Sequence, residues 1–192
     1  DSIKHNGDRS IVSSKVSMGL ALDTSCDEFA KISVRKAFED TLLLMKHNIK
    51  TSGIELHAEF PEHDVLVNGN PTQLSQILVN LLSNARDACN QSDRKKISIG
   101  FTAKGHDVQI WIEDTGPGIS RDIRKSVFKA FYTTKPAGEG TGLGLYIARI
   151  IADRHQANLQ FECPLDPAGR PLGTRFTMTL KIADAKDAAK AA

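Results

Sequence analysis

Glycines alternate with other residues in the stretch Gly138-Glu139-Gly140-Thr141-Gly142-Leu143-Gly144-Leu145, which is followed by an apolar-periodic segment running to about His155. Glycine permits positive φ and close backbone approach, and a helix N-terminus offers free N–H groups and a positive dipole end. The chemistry that this pattern could perform is phosphate binding. An ordinary flexible loop before a helix fits as well. The P-loop and dinucleotide fingerprints do not match, because the Lys-Ser/Thr pair and the third glycine are missing.

A second group of polar residues lies in a long helix predicted from the Asn-Pro pair at 70–71 to about residue 88. Gln76, Asn80 and Asn84 recur every four residues and therefore share one edge of this helix. Asparagine is unfavourable inside a helix, so its presence needs a reason. Two explanations remain open: the amides form hydrogen bonds to a neighbouring loop, or their oxygens serve as ligands of Mg²⁺.

A carboxylate follows a predicted strand in the sequence Asp114-Thr115-Gly116-Pro117-Gly118. Gly116 and Gly118 permit a tight reversal and Pro117 restricts it, which fixes the Asp114 side chain in space. Taken alone, this Asp-x-Gly-x-Gly pattern is also what an ordinary turn-forming aspartate would show.

The elements that must position these residues follow from hydrophobic periodicity and capping signals. The predicted strands cover 29–32, 54–60, 65–67, 97–101, 108–114, 158–161 and 174–182, with a hairpin turn at 104–107. The predicted helices are one capped by Ser33 and ending before Gly53, the long helix, a short helix over 119–130 capped by Ser120, and one from about Gly142. The aromatic and glycine-rich segment between the last two suits a hinged lid.

Composition predicts one domain over residues 29–183, with a lead-in at 1–28 that is either poorly ordered or the remnant of a preceding element, and a disordered tail at 184–192. The net charge is +2 and basic residues are scattered, so neither nucleic acid nor a membrane surface is an expected partner. Three widely spaced cysteines, Cys26, Cys89 and Cys163, are typical of reduced thiols. Without a signal peptide or a spanning run, we expect a cytoplasmic fragment, whose full-length protein could be anchored through other regions.

In their order and spacing, the motifs resemble those of the ATP-binding catalytic domain of sensor histidine kinases, in the superfamily shared with gyrase, MutL and heat-shock chaperone ATPases. The residues from Asn80 to Ala85 look like the N box, and those from Asp114 to Gly118 look like the first glycine box. Residues 128–135 are similar to the F box and residues 140–145 to the second glycine box. The resemblance extends over about residues 29–180.

The resemblance implies an α/β (α+β) two-layer sandwich: a mixed β-sheet with helices on one face, the Bergerat-type ATP-binding fold, with a flexible lid. It implies that Asn84, and secondarily Asn80, hold Mg²⁺ on the triphosphate and act as the catalytic residues. It also implies that Asp114 accepts a hydrogen bond from the adenine amino group, so that ATP is preferred to GTP. The residues implied to bind the nucleotide are Asp114, Gly116, Gly118, Lys135, Gly140, Thr141, Gly142, Leu143 and Gly144.

The implied function is to bind Mg-ATP and donate its γ-phosphoryl group to a histidine of a separate dimerisation and phosphoacceptor domain, which then serves a response-regulator receiver. Hydrolysing relatives carry a glutamate at position 80, and an amide cannot act as a general base, so transfer is expected rather than hydrolysis. Two alternatives are an anti-sigma-factor-type serine kinase and a non-catalytic ATP-sensing module. His5 is followed by Asn6 and lacks a helical context, so we expect no phosphoacceptor within this sequence.

Two positions depart from the family pattern. Asp87 stands where many members have a lysine that contacts phosphate, and the sequence leaves open whether Arg86 substitutes for it. His155-Gln156-Ala157 replaces the usual His-Gly-Gly, which leaves the turn geometry at that point undetermined.

Overall fold

Single helices separate successive strand pairs after the first strand in the computed structural model of the chain, which describes residues 28–136, 138 and 140–183. In chain order they are β1 (Ala30–Ser33), α1 (Val34–Thr51), β2 (Glu55–Glu59), β3 (Leu66–Gly69), α2 (Pro71–Cys89), β4 (Lys96–Lys104), β5 (Asp107–Asp114), α3 (Gly144–Arg154), β6 (Asn158–Glu162) and β7 (Thr174–Lys181). The predicted tail, and the predicted lead-in up to residue 27, lie outside the described residues.

Five strands form one mixed sheet in the order β2-β4-β5-β7-β6. β2 runs parallel to β4, and each of the other neighbours is antiparallel. β1 and β3 form a separate antiparallel pair, which a bridge between Val67 and Ile182 links to the end of β7. The predicted mixed sheet is confirmed, whereas the separate two-stranded sheet was not predicted from the sequence.

The core lies between one face of the five-stranded sheet and the apolar faces of the helices. Alternate residues of β4 and β5 are buried there, as the period-two pattern predicts: Ile97, Ile99, Phe101, Val108, Ile110 and Ile112. The apolar face of α2 is buried against them through Leu74, Ile77, Leu78, Leu81, Leu82 and Ala85. Burying this face fixes the rotation of α2, and with it the direction of the edge that carries Asn80 and Asn84.

The predicted caps of α1 and α2 form. The Ser33 side chain accepts a hydrogen bond from the Lys36 N–H at 2.8 Å, and the Asn70 side chain accepts one from the Gln73 N–H at 3.0 Å. The buried His155 links the end of α3 to the start of α2. Its Nε2 accepts the backbone N–H of Asn70 at 3.0 Å, and its Nδ1 therefore carries the proton and donates to the carbonyl oxygen of Ile151 at 2.8 Å.

The turn after His155 forms although it lacks the expected glycines. Gln156 takes φ +52°, the left-handed conformation that glycine adopts without strain. The backbone N–H of Ala157 bonds the carbonyl oxygen of Ala152 at 2.9 Å. The residue types differ from the family pattern at this point, but the tight turn is retained.

The prediction of a helix over 119–130 is wrong. Only Arg121–Ile123 forms a 3₁₀ turn, and the Ser120 side chain makes no capping hydrogen bond. The residues that follow continue in successive i to i−3 turns, such as the bond from the Ser126 N–H to the Ile123 carbonyl oxygen. Tertiary packing overrides local propensity here, because Phe128 is held against two other aromatic rings, those of Phe161 and Phe176.

Within the described residues, none of the helices combines the length and hydrophobicity that crossing a bilayer requires. Cys89 and Cys163, the two cysteines that the structure describes, are both free thiols.

Candidate functional site

One cleft of about 450 Å³ collects most of the residues that the sequence singled out. It lies between the edge of α2, the end of β5, the start of α3 and the segment before the glycine-rich stretch. The predicted site residues that line it are Asn80, Asn84, Asp114, Gly118, Lys135, Gly140, Thr141, Gly142 and Gly144. Gly116 and Leu143 are not among the lining residues; the first packs behind Asp114 and the second is buried where α3 begins.

Asn80 and Asn84 are half-buried residues whose side-chain nitrogens are fully buried. Neither side-chain nitrogen, Nδ2, has a hydrogen-bond partner within the described part of the chain. The idea that these amides bond a neighbouring loop therefore has no support in the structure. An unpaired buried amide is costly unless a ligand completes it. These nitrogens are hydrogen-bond donors and do not bind a cation, whereas the Oδ1 atoms of the same two amides are neutral oxygen ligands of the kind that Mg²⁺ takes.

Asp114 is a buried carboxylate at the end of β5 whose two oxygens differ in their partners. Oδ1 accepts the backbone N–H of Gly116 at 2.9 Å and that of Thr174 at 3.3 Å. Both donors hold the same oxygen, which leaves Oδ2 for a ligand. Burial raises the pKa of Asp114 to about 6, although the two backbone N–H groups act in the opposite direction. The carboxylate is therefore ionised at neutral pH and offers an acceptor in a partly desolvated setting.

Three glycines allow close packing of the backbone around Asp114 and the turn that follows it. A Cβ on Gly116 would lie 2.6 Å from the Cβ of Ala88 on α2, and one on Gly118 would lie 2.8 Å from the Cβ of Pro171. Gly173, which the sequence analysis did not select, has φ +136° and would overlap the carbonyl oxygen of Asp114 if it carried a side chain. Gly173 precedes the predicted strand from residue 174, and a glycine at a strand entry was the signal available.

The glycine-rich stretch approaches the cleft as backbone. Gly142 has φ +66°, and a Cβ there would overlap the backbone of Phe131 and lie 2.7 Å from the Tyr132 nitrogen. Two residues later α3 begins, and Gly144 and Leu145 of its first turn line the cleft. The free N–H groups and dipole of this turn favour an anion. The geometry therefore supports the phosphate-binding interpretation over that of an ordinary loop.

Lys135 and Arg86 bracket Asp87 at the cleft. The Lys135 Nζ donates to Oδ2 of Asp87, and the Arg86 guanidinium donates to Oδ1, with Nη2 at 2.6 Å and Nε at 2.9 Å. Burial by itself would raise the pKa of Asp87, but the hydrogen bonds and charges of Lys135 and Arg86 outweigh it and hold the pKa below its ordinary value. Asp87 and Arg86 stand out in the sequence as a departure from the family pattern, but no local signal predicts their pairing with Lys135.

An apolar wall completes the cleft and was not predicted. It is formed by Ile119, Ile123, Val127 and Phe176. The first three belong to the segment wrongly predicted as a helix, and Phe176 lies on the inner face of β7. An apolar wall beside the acceptor of Asp114 suits a flat heteroaromatic ring that carries an amino group.

Comparison with known proteins agrees with this geometry. The family model described as histidine kinase-, DNA gyrase B-, and HSP90-like ATPase matches residues 69–184. The sensor protein ChvG of Agrobacterium fabrum is 36% identical over 123 residues, which is 62% of this chain and 20% of ChvG. The sensor histidine kinase TmoS of Ectopseudomonas mendocina is 32% identical over 155 residues, which is 79% of this chain and 15% of TmoS. The chain thus spans a fifth or less of these relatives.

A solved structure shares the fold. The nucleotide-free catalytic domain of the histidine kinase ThkA superposes with a TM-score of 0.69 at 28% identity, covering 80% of this chain and 95% of that domain. The predicted α+β fold, with its mixed sheet and helices, is confirmed by this match.

Proposed function

The chain belongs to the histidine kinase-, DNA gyrase B-, and HSP90-like ATPase family, and on that premise we propose that it is the ATP-binding catalytic domain of a sensor histidine kinase. It binds Mg-ATP and donates the γ-phosphoryl group to a histidine of another domain. The observation that carries this proposal is the convergence of three features on one cleft: the amide side chains of Asn80 and Asn84, the available oxygen of Asp114, and the start of α3.

Each residue has a role that follows from its chemistry. Asn84 and Asn80 hold Mg²⁺ through neutral amide oxygens, which add ligands without adding negative charge beside the phosphates. Oδ2 of Asp114 accepts a hydrogen bond from the adenine amino group. The backbone of the glycine-rich stretch and the first turn of α3 bind the phosphates, with Lys135 as a further contact. When bound, Mg²⁺ supplies charge neutralisation at the transferring group.

The arrangement favours transfer over hydrolysis. Of the described residues that line the cleft, Asp87 and Asp114 carry carboxylates, and neither is available as a general base. Asp87 is tied to Lys135 and Arg86, and Asp114 lies at the base-binding end. Position 80, one helical turn before Asn84, holds an amide. The attacking nucleophile is then a histidine nitrogen supplied by a dimerisation and phosphoacceptor domain, from which a response-regulator receiver takes the phosphoryl group.

The domain assigned to this role covers residues 29–183, and its place in the cell follows from its substrate. ATP is available on the cytoplasmic side of a membrane, so a kinase domain of this type works there. A sensor segment elsewhere in the full protein could still lie in or across a membrane.

Binding is tested by calorimetric titration of the chain with ATP, with and without Mg²⁺. We expect the wild-type chain to bind in a Mg²⁺-dependent way and Asn84→Ala to lose that dependence while it keeps its melting temperature. Asn158→Ala, an exposed asparagine on the edge strand β6, is the matched control and should bind like the wild type. Equal Mg²⁺-dependent binding by Asn84→Ala would refute the assignment of the metal site.

Transfer is tested by incubating the chain with labelled ATP, Mg²⁺ and a separately produced histidine phosphoacceptor domain. Acid-labile phosphate on that domain supports the proposal. Acid-stable phosphate on a partner serine supports the serine-kinase alternative instead. Binding of Mg-ATP without transfer to any acceptor leaves a nucleotide-sensing module and contradicts the kinase assignment.

A further inference from the structure

Asp87 is a carboxylate in a cleft that, on the proposed function, receives a polyphosphate. It lies on α2 three residues after Asn84 and seven after Asn80, so the three side chains follow one edge of the helix. A fixed negative charge beside a phosphate site opposes nucleotide binding. Its presence in the cleft therefore needs an explanation, and its partners provide one.

The two oxygens of Asp87 are divided between two cations. Oδ1 accepts from Arg86, its neighbour on the rigid helix, and Oδ2 accepts from Lys135, which belongs to a different segment 48 residues later. All three side chains are partly buried, with exposed fractions between 23% and 29%. Together the three groups carry one net positive charge. Asp87 therefore neutralises one of the two cations that face the cleft.

Lys135 is also packed against the glycine-rich stretch. A Cβ on Gly140 would lie 3.0 Å from Cδ of Lys135 and 3.2 Å from its Cβ, so the lysine stem rests on the backbone that we assign to the phosphates. The backbone N–H of Lys135 donates to Oγ1 of Thr133 at 3.1 Å, which fixes the start of the stem. A phosphate on this stretch and the carboxylate of Asp87 are thus alternative partners for one ammonium group.

We propose that Asp87 is an internal counter-ion that pairs with Lys135 before nucleotide binds and is replaced by a nucleotide phosphate as the partner of Lys135. This inference rests on the proposed function, since it needs a phosphate at the glycine-rich stretch. Asp87 is then a positioning residue that lowers the affinity for nucleotide. When nucleotide binds, the ion pair of Lys135 with Asp87 is replaced by one with phosphate, so this contact adds little net binding free energy. A lysine ammonium has three donors on a flexible stem, which suits such an exchange.

The exchange predicts non-additive substitutions. Asp87→Asn keeps the size of the side chain but removes the competing charge, so Mg-ATP should bind roughly fivefold more tightly at low salt. Lys135→Met should weaken binding to the otherwise wild-type chain by no more than about twofold, because its charge is already paired. In the Asp87→Asn background the same change should weaken binding by roughly fivefold, and 0.5 M salt should reduce these differences.

The experiment measures the dissociation constant for Mg-ATP of the wild-type chain, both single variants and the double variant, with the melting temperature of each. Asp107→Asn is the control, because Asp107 also pairs with a lysine, Lys181, at 2.7 Å, but this pair is more exposed and lies at the opposite end of β5 from the cleft. It should leave the affinity unchanged. Asp87→Glu, which keeps the charge, should bind close to the wild type.

Several outcomes would overturn the inference. If Asp87 only stabilises the fold, Asp87→Asn lowers the melting temperature without tightening binding, and Lys135→Met has the same effect in both backgrounds. A loss of more than tenfold from Lys135→Met in the otherwise wild-type chain also contradicts the exchange, and that result does not depend on whether Asp87→Asn folds. A wild-type chain that binds no Mg-ATP refutes the proposed function and this inference together, whereas wild-type binding with additive variants refutes only the latter.

Discussion

Substitution of Asp114 by asparagine should change which purine the cleft accepts. The backbone N–H groups of Gly116 and Thr174 both donate to Oδ1 of Asp114. An asparagine at this position must keep its oxygen on these two donors, since turning its amino group toward them would set donor against donor. The amide nitrogen then occupies the place of Oδ2, and the group that faces the ligand changes from an acceptor to a donor.

The size of the effect follows from the type of bond that is lost. A hydrogen bond to a charged group contributes about 1.5 to 3 kcal/mol, so Asp114→Asn should weaken ATP binding by roughly 10- to 150-fold. Inosine triphosphate carries an oxygen where ATP carries its amino group and is otherwise close to it in shape. The variant should therefore prefer inosine triphosphate to ATP, the reverse of the wild type. Competition binding at pH 7.5 with both nucleotides measures this directly.

Stability separates this specificity change from unfolding. The native pKa of Asp114 is about 6 and the ordinary value is 3.8, so ionising the buried group costs stability. The contribution of Asp114 to the free energy of unfolding is most favourable below about pH 3.8 and is lost as the pH rises to about 6. The total loss is about 3 kcal/mol. Asparagine does not ionise. The variant should therefore be at least as stable as the wild type at pH 7, and urea unfolding between pH 4 and 7.5 tests this.

The same pKa predicts an opposite trend for binding. As the pH falls through about 6, Asp114 gains a proton, loses its charge-assisted bond to the adenine amino group, and ATP affinity declines. Asp114→Asn should show no such decline. The reasoning about this residue is refuted if the folded variant retains the wild-type preference for ATP, or if the ATP affinity of the wild type is constant between pH 5 and 8.

Two further substitutions test the transfer chemistry and the glycine-rich stretch. Asn80→Glu supplies the missing general base and should raise the rate of ATP hydrolysis in the absence of an acceptor at least about tenfold. The matched Asn80→Gln variant should not raise it. Equal rates for the two variants in a phosphate-release assay would contradict the role given to position 80. In Gly142→Ala the new side chain would require a positive φ and would also overlap the backbone of Phe131. In Gly105→Ala φ is +61° but the space is open, so the cost is about 1 kcal/mol. Urea denaturation should therefore show a larger loss of stability for Gly142→Ala. Equal losses would show that the close approach to Phe131 carries no cost.

The site residues that could be predicted from the sequence are those whose signals are local. Each of these signals is contained within a few consecutive residues. They are the Asn-Pro helix start, the four-residue spacing of Asn80 and Asn84, and the glycines after Asp114. The long helix and the hairpin strands follow from periodicity for the same reason. The parts that could not be predicted depend on distant partners, as with the segment over 119–130, whose conformation is set by the aromatic contacts of Phe128.

The pairing of Asp87 with Lys135 shows why such parts escape a sequence analysis. The two residues are 48 positions apart, and the packing of α2 against the sheet and against α3 brings the edge of this helix to the glycine-rich stretch. The same edge presents Asn80 and Asn84 to the cleft, and their amide oxygens are ligands that Mg²⁺ accepts. One rigid helix therefore carries both the groups suited to Mg²⁺ and the counter-ion of Lys135. A change that rotates α2, such as repacking around Leu81 or Leu82, should consequently alter metal dependence and phosphate affinity together.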